Sequence, residues 1–459
     1  MTRTARTELS PRESDTGSNR VTRWASDTAE VVIIGAGFAG LYAAQALKRA
    51  PVRVTVLDRR NHHLFQPLLY QVATAGLNPS DIAYPVRSVL RRQENARVLL
   101  ADVTRIDTAT RTVEYDAGSI QFDYLILATG ATHSYFGHPE WAPLAPGLKS
   151  IEDALEIRSR VFLAYEEAER TLDREQQVEC LTFVVVGGGP TGVELAGTLG
   201  EIAHHSMKRD FRVIDPGLTS VVLIEGVDRV LPSYPEKLSR AAERQLAKLG
   251  VTVRTSCLVT DIDSHGVTLQ GGERIPSRTV LWAAGVAASP LARTLGAPLD
   301  RAGRIEVGPD LTVPGHPEIF VAGDLAALRC DGAPVPGVAP AAIQEGKHAA
   351  KNIRRAIAGQ PLARFRYRDK GSLATIGRAA AVASFKRFKL TGFLAWWAWW
   401  AIHIFFLIGF RSRLLVMFAW AWSYLTYQRG ARLITGAPRA HLPADDQRAI
   451  TSRPRSVRR

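Results

Sequence analysis

Two glycine-rich turns, Gly35-Ala36-Gly37-Phe38-Ala39-Gly40 and Gly187-Gly188-Gly189-Pro190-Thr191-Gly192, carry the clearest chemistry in this chain. Each follows an apolar run, Val31–Ile34 and Phe183–Val186, and each leads into a stretch of helix-forming residues. In such a turn the first glycine permits the tight bend and the second lets backbone approach a pyrophosphate. The third lets helix pack closely on strand. The phosphates then meet the unpaired N–H groups and the dipole of a helix N-terminus. One such motif is a weak signal. Two of them, spaced a domain's length apart, point to two bound dinucleotides and a redox reaction between them.

Carboxylates stand where ribose recognition needs them. The strand Val52–Leu57 ends at Asp58, 23 residues after Gly35, the usual distance for an acid that accepts ribose hydroxyls. After the second fingerprint the strand Ser220–Ile224 ends at Glu225, 38 residues past Gly187. The excess falls in a polar insertion, His204 to Gly217, that ends on the turn signal Asp215-Pro216-Gly217. Glu225 would repel a 2′-phosphate, and Gly226, Val227 and Asp228 precede the first arginine, so NADH is expected over NADPH. Two further strands end in small residues: Tyr124–Leu127 in Ala128-Thr129-Gly130, and Thr279–Trp282 in Ala283-Ala284-Gly285. A third, Ile319–Val321, closes on Ala322-Gly323-Asp324. This set resembles the two-dinucleotide-binding flavoproteins. The resemblance implies that the first fingerprint, Ala128-Thr129-Gly130 and Gly323-Asp324 hold FAD, with Asp324 at the ribityl or phosphate end.

The elements that position these residues predict an α/β fold with two Rossmann-like dinucleotide-binding domains, the NAD domain inserted into the FAD domain. Residues 29–145 and 287–365 are expected to form the FAD-binding domain and residues 146–286 the NADH-binding domain. Residues 366–435 form a C-terminal membrane-associating region with amphipathic helices. The Arg- and Ser-rich stretch 1–28 has no apolar core of a signal peptide. It reads as a disordered tail, as does the basic stretch 436–459.

Charge and aromatic residues concentrate in the C-terminal region. The whole chain carries 58 Lys and Arg against 44 Asp and Glu, a formal charge of +14, yet no acidic residue occurs between Lys370 and Ala444. That stretch holds six of the nine tryptophans, so its cations flank oily runs and not a polar groove. Nucleic acid is excluded as a partner on this ground, and an anionic membrane surface is favoured. The runs Phe393–Phe410 and Leu414–Tyr427 span 18 and 14 residues, below the roughly 20 of a transmembrane helix for the second. On helices, Phe393, Trp397, Ile404, Phe405 and Ile408 share one side, and Trp396, Trp399, Trp400 and His403 another. Leu414, Met417, Phe418, Ala421 and Leu425 line up opposite Ser423, Tyr424 and Tyr427. Such faces suit the lipid interface, and would also serve a homodimer.

The electron acceptor follows partly by exclusion. The segment Asn61-His62-His63-Leu64-Phe65-Gln66-Pro67 contains no cysteine where disulfide reductases carry their reactive pair, and Cys180, Cys257 and Cys330 are scattered. His62, His63, His204 and His205 lack a supporting ligand cluster, so no metal site is expected. In detail the sequence resembles the type II NADH:quinone oxidoreductases. The matching segments are Asn61–Ala73, Gly188–Gly197, Gly337–Gly346, Asp369–Gly377 and Phe406–Arg411, with Gln428–Arg432.

That resemblance implies hydride transfer from NADH to FAD and two-electron reduction of a membrane quinone, without proton pumping. It also implies a peripheral, monotopic location on the cytoplasmic face of the inner or plasma membrane. Quinone reduction consumes protons, and Glu194, between apolar Val193 and Leu195, is the candidate for handling them. Gln344 matches the second glutamine of the family's quinone motif, while Pro340 replaces the first. Lys370 is a candidate charge near the flavin or quinone. Two other readings stay open: a soluble NADH-dependent reductase of an iron–sulfur or haem protein, and a non-catalytic NADH-binding scaffold.

Overall fold

Val31, Val32, Ile33 and Ile34 are all buried, as a run that is apolar on both faces requires. They form the middle of a six-stranded sheet. The computed structural model describes residues 28–207, 210–426 and 430–435. The tails expected over 1–28 (residue 28 apart) and 436–459, and Tyr427, lie outside them. Strand Ala29–Ile34 pairs in parallel with Val52–Asp58 on one side and Tyr124–Leu127 on the other. Ala96–Leu100 and His316–Val321 extend the sheet in parallel at either flank, and Thr312–Val313 closes one edge antiparallel. Strand order thus reverses at Ala29–Ile34, which opens a crevice at that strand's carboxyl end. Helix α1 (Phe38–Ala46) starts there.

The long helix α2 (Ile151–Arg170) leads into a second sheet built on the same plan. Thr182–Val186 is central, with Ser220–Ile224 and Thr279–Trp282 parallel on its two sides and Val251–Arg254 outside. Helix α3 (Pro190–Glu201) leaves its switch point. The expected polar insertion begins as a π-helical turn, Ile202–Ser206, and ends in a 3-10 turn, Pro216–Leu218, held by the Asp215 side chain. The chain leaves the first sheet after Tyr124–Leu127 and returns to it at His316–Val321, so the second sheet is an insertion. Ala131–His133 pairs antiparallel with Val286–Ala288 where the two crossings meet.

Helix α4 (Ala339–Ile357) packs across α1 so closely that a Cβ on Gly346 would stand 2.1 Å from the Ala39 carbonyl oxygen. A three-stranded antiparallel sheet, Ser372–Gly377, Ala380–Ser384 and Lys389–Thr391, then lies against α3. Helices α5 (Phe393–Phe406) and α6 (Phe410–Thr426) complete the described chain apart from residues 430–435.

The apolar run expected over Phe393–Phe410 is one stretch in sequence but not in space. Leu407 is extended and Gly409 takes a left-handed φ of 89°, which ends α5 and turns the chain into α6. Arg413 fixes the corner by donating from Nε to the Leu407 carbonyl and from Nη2 to that of Phe405, both at 2.8 Å. These are carbonyls a helix end leaves open. Among the described residues no helix is long and apolar enough to cross a membrane. The expected faces separate only in part. Phe393, Trp397 and Phe405 are exposed while Trp399 is buried; Ile404 is half-buried, and Met417 departs from the exposed line of Leu414, Phe418 and Leu425.

Contact between α3 and the C-terminal sheet is backbone against backbone. A Cβ on Gly197 would lie 1.7 Å from the Ile376 carbonyl oxygen. Gly197→Ala is therefore expected to cost about 1–3 kcal/mol through forced separation of the two elements. Denaturant unfolding would read this as a lower midpoint, and an unchanged midpoint would show that the contact yields freely.

Candidate active site

A cleft of about 660 Å³ opens at the first switch point, a volume in the range of cofactor sites. Gly35, Gly37, Asp58, Ala128, Thr129, Gly130, Gly323 and Asp324 all line it, as the sequence predicts. Gly40 sits one turn behind, where a Cβ would collide with the Gly35 carbonyl oxygen at 1.8 Å. Three features fit this cleft to FAD. The Thr129 hydroxyl and His62 Nε2 are buried there without a partner, and each needs one from a ligand. A Cβ on Gly37 would meet nothing within 4 Å, so it would project into the space a pyrophosphate needs. Helix α1 has no side-chain cap, whereas α2 is closed by a Ser150–Asp153 capping box. Its first amides are thus left for an anion. Asp58 already accepts from the amides of Ala36 and Arg60, at 2.6 and 2.7 Å, which aims its carboxylate along the rim.

The second fingerprint repeats this arrangement. Gly187 turns with a φ of 107° against Ala283 and Ala284, and Gly192 abuts the Gly187 carbonyl. Gly189 faces open space at the start of α3, which again lacks a side-chain cap. Glu225 accepts from the Gly188 amide at 2.6 Å and the Val227 amide at 3.0 Å, beside the loop as expected. Gly285 lies exposed at the far rim beneath the Phe136 ring.

Helix α3 carries Glu194 from this loop toward the C-terminal sheet. Its carboxyl is buried and accepts from the Thr375 amide at 3.4 Å. Burial pushes its pKa up to about 8, with the Thr375 amide and the Trp399 indole pulling the other way. A second buried acid, Glu345 on α4, accepts from the Gly323 amide at 2.5 Å, and burial raises it to about 7. Gln344, its neighbour, is bound to backbone at both ends of its amide. Its amide nitrogen donates to the carbonyls of Pro340 and Arg368 and its oxygen accepts from the Arg368 amide, all at 3.0 Å. It staples the segment before the C-terminal sheet to α4 and lines no part of the cleft. Lys370 is exposed and also lies outside the cleft wall.

Known proteins decide the family. Residues 29–346 match the family model described as pyridine nucleotide-disulphide oxidoreductase, and residues 370–428 match the NDH2 C-terminal domain. The chain is 46% identical over 420 residues to the type II NADH:quinone oxidoreductase Ndh of Mycobacterium tuberculosis, covering 88% of this chain and 90% of that protein. The chain belongs to the type II NADH:quinone oxidoreductases. A Staphylococcus saprophyticus protein of that description is 28% identical over 365 residues, covering 77% and 89% of the two chains. Among solved structures, NDH2 from Plasmodium falciparum in complex with NADH superposes with a TM-score of 0.82 at 20% identity, over 89% of this chain and all of that one. The sulfide:quinone oxidoreductase of Aquifex aeolicus shares the fold with a TM-score of 0.65 at 19% identity, over 84% and 92%.

This type II NADH:quinone oxidoreductase keeps the fold of the disulphide enzymes without their thiols: Cys180, Cys257 and Cys330 are free and dispersed. Sequence reasoning gave no place to the Glu345 carboxyl or to the Thr375 amide, and weighed His62 only as a metal ligand. Glu345 lies inside the segment Gly337–Gly346 already singled out, but the glutamine beside it drew the attention. Thr375 lies inside the matching segment Asp369–Gly377, but its amide matters only because a distant strand meets α3.

Two measurements check this geometry. Gly189→Ala is expected to leave the unfolding midpoint unchanged and to abolish NADH binding, read by titration. Glu194 holds its proton more tightly folded than unfolded. Its stabilising contribution is thus complete below about 4.5 and lost as pH rises through about 8. The stability of the native protein should therefore fall against that of Glu194→Gln across this window; parallel curves would place the carboxyl in water.

Proposed function

We propose that this enzyme oxidises NADH and passes two electrons to a membrane quinone, with Glu194 handling the proton that the second half of the reaction needs. The observation that carries the reading is the course of α3. It begins at the NADH fingerprint, bears a buried protonatable acid at mid-length, and ends against the C-terminal sheet and its apolar helices. Residues 29–145 and 287–365 hold FAD, and residues 146–286 hold NADH. FAD, when bound, supplies the two-electron relay between nicotinamide and quinone. Asp58 and Glu225 orient the two riboses, and Asp324, with the Thr129 hydroxyl, holds the flavin end. Glu225 discriminates against a 2′-phosphate by charge.

Residues 366–435 dock the enzyme on the cytoplasmic face of the membrane. Phe405, Phe410, Phe418, Trp422 and Leu425 are each 60–77% exposed on α5 and α6. An apolar surface of this kind marks an interaction site. Arg411 is exposed beside it, and Lys386, Arg387 and Lys389 precede α5 on the hairpin. Each such cation adds up to about 1 kcal/mol on an anionic leaflet. Gln344 secures the segment leading to this region, and Lys370 adds to its cationic surface.

Two experiments test the reading. Glu194→Gln should bind FAD and NADH normally and lose at least about tenfold in turnover with a short-chain quinone. Full turnover would remove Glu194 from proton handling. Replacing Phe405, Phe418, Trp422 and Leu425 together by glutamine should abolish sedimentation with anionic vesicles. Turnover with a water-soluble quinone should survive; retained vesicle binding would refute membrane docking by these helices.

A further inference from the structure

A second cavity, of about 100 Å³, lies at the far end of α3 from the cofactor cleft. Its wall includes Thr198 and Glu201 of α3, Thr375 and Arg378 of the C-terminal sheet, and Trp399 and Ser423 of α5 and α6. Thr375 and Trp399 also face the Glu194 carboxyl. The indole nitrogen of Trp399 is buried and finds no hydrogen-bond partner of normal geometry. Along α3, Thr191 lines the cofactor cleft, Glu194 is buried, and Thr198 and Glu201 line the second cavity. The spacing i, i+3, i+7, i+10 keeps all four on one helix face. Glu194 thus stands between two openings, with one layer of side chains separating it from the smaller.

The size of that cavity limits its occupant. Ligand pockets run from about 300 to 1,000 Å³, whereas this one has room for a few water molecules, each taking about 30 Å³. Its polar lining gives waters partners: the Ser423 and Tyr424 hydroxyls, the Glu201 carboxylate and the Gln71 amide, while the Thr198 hydroxyl donates to the Glu194 main-chain carbonyl at 2.6 Å. Gln71 is held in place by Trp420 Nε1, which donates to its oxygen at 2.6 Å.

The reaction needs such a supply. NADH delivers two electrons and one proton as hydride, while forming a quinol takes two electrons and two protons. One proton per turnover must therefore come from solvent. The C-terminal helices present an apolar face, which offers that proton no path.

We infer that the small tryptophan-lined cavity is the proton inlet of the enzyme, a water-filled vestibule from which Glu194 is reprotonated across the layer formed by Thr375 and Trp399, with Glu201 in its wall. This rests on the reading of Glu194 as the proton-handling group. The other groups around Glu194 cannot substitute. Tyr234, whose hydroxyl senses its charge, is held neutral by burial, and Thr375 offers only its amide. At the mouth Arg378 keeps its guanidinium over the Tyr424 ring, 4.2 Å from the centroid.

Filling the vestibule tests the inference. Ser423→Leu places a branched side chain in it, and Thr375→Leu thickens the layer between it and the Glu194 carboxyl. Both should slow turnover with a short-chain quinone by about tenfold and enlarge the solvent deuterium isotope effect, while flavin reduction by NADH in the half-reaction proceeds at the native rate. Without turnover, the infrared carbonyl band of the protonated Glu194 carboxyl, assigned by its loss in Glu194→Gln, should exchange in deuterated water more slowly in both variants. Native turnover and exchange in both would overturn the inlet, as would an equal loss in the NADH half-reaction, which marks a structural defect. If Glu194→Gln itself turns over at the native rate, the proton role of Glu194 fails and the inlet with it. A slow Glu194→Gln beside unaffected vestibule variants refutes the inlet alone.

Discussion

A carbonyl oxygen pressed against a glycine governs the rest of this molecule. Where Ile376 meets Gly197, α3 and the C-terminal sheet touch with no side chain between them. Glu194 is buried beside that contact, and its carboxyl accepts one long bond from the Thr375 amide. A bulkier residue at position 197 would let water in and turn a tuned acid into an ordinary one. The neighbours of both residues, Thr198 on α3 and Thr375 and Gly377 on the sheet, line the small cavity.

Desolvation, not a neighbouring charge, is what makes Glu194 protonatable near neutral pH. Glu345 is raised by the same cause, yet it lies under the cofactor cleft and binds the Gly323 amide. Two buried acids thus differ in role through their partners. Glu345 fixes the loop that carries Asp324, while Glu194 has no comparably short bond to hold it in one state. The orphaned Thr129 hydroxyl and the uncapped starts of α1 and α3 tell the same story at the nucleotides. Polar groups the protein leaves unmet are where ligands belong.

Both fingerprints, their parallel sheets and the acids after them were legible in the sequence because their information is local. Gly35 to Gly40 and Asp58 are set by one βαβ unit, and periodic burial shows in Val31–Ile34 without any partner. The C-terminal region was legible as apolar and aromatic but not as a corner, because the break depends on Gly409 adopting a left-handed turn and on Arg413 reaching back across it. The hydrogen bonds of Gln344 were not legible, for the opposite reason. A motif position says which residue type recurs, not which way its amide turns, and here both ends are consumed by backbone at Pro340 and Arg368. The approach of Thr375 and Trp399 to Glu194 was not legible, since it joins residues about 180 and 200 apart in sequence, as folding alone can bring together.

The last described residues return to the body of the enzyme. Ala431 donates to the Ala75 carbonyl at 3.4 Å, Arg432 pairs with Asp210 and donates to the Ser206 carbonyl, and Arg158 reaches Thr435. The aromatic helices are therefore stitched into the protein at both ends and are not a detachable foot. Cutting them away would uncover the wall around Glu194 and strand the guanidinium of Arg158. A shortened enzyme would then fail as a catalyst for reasons unrelated to where it resides.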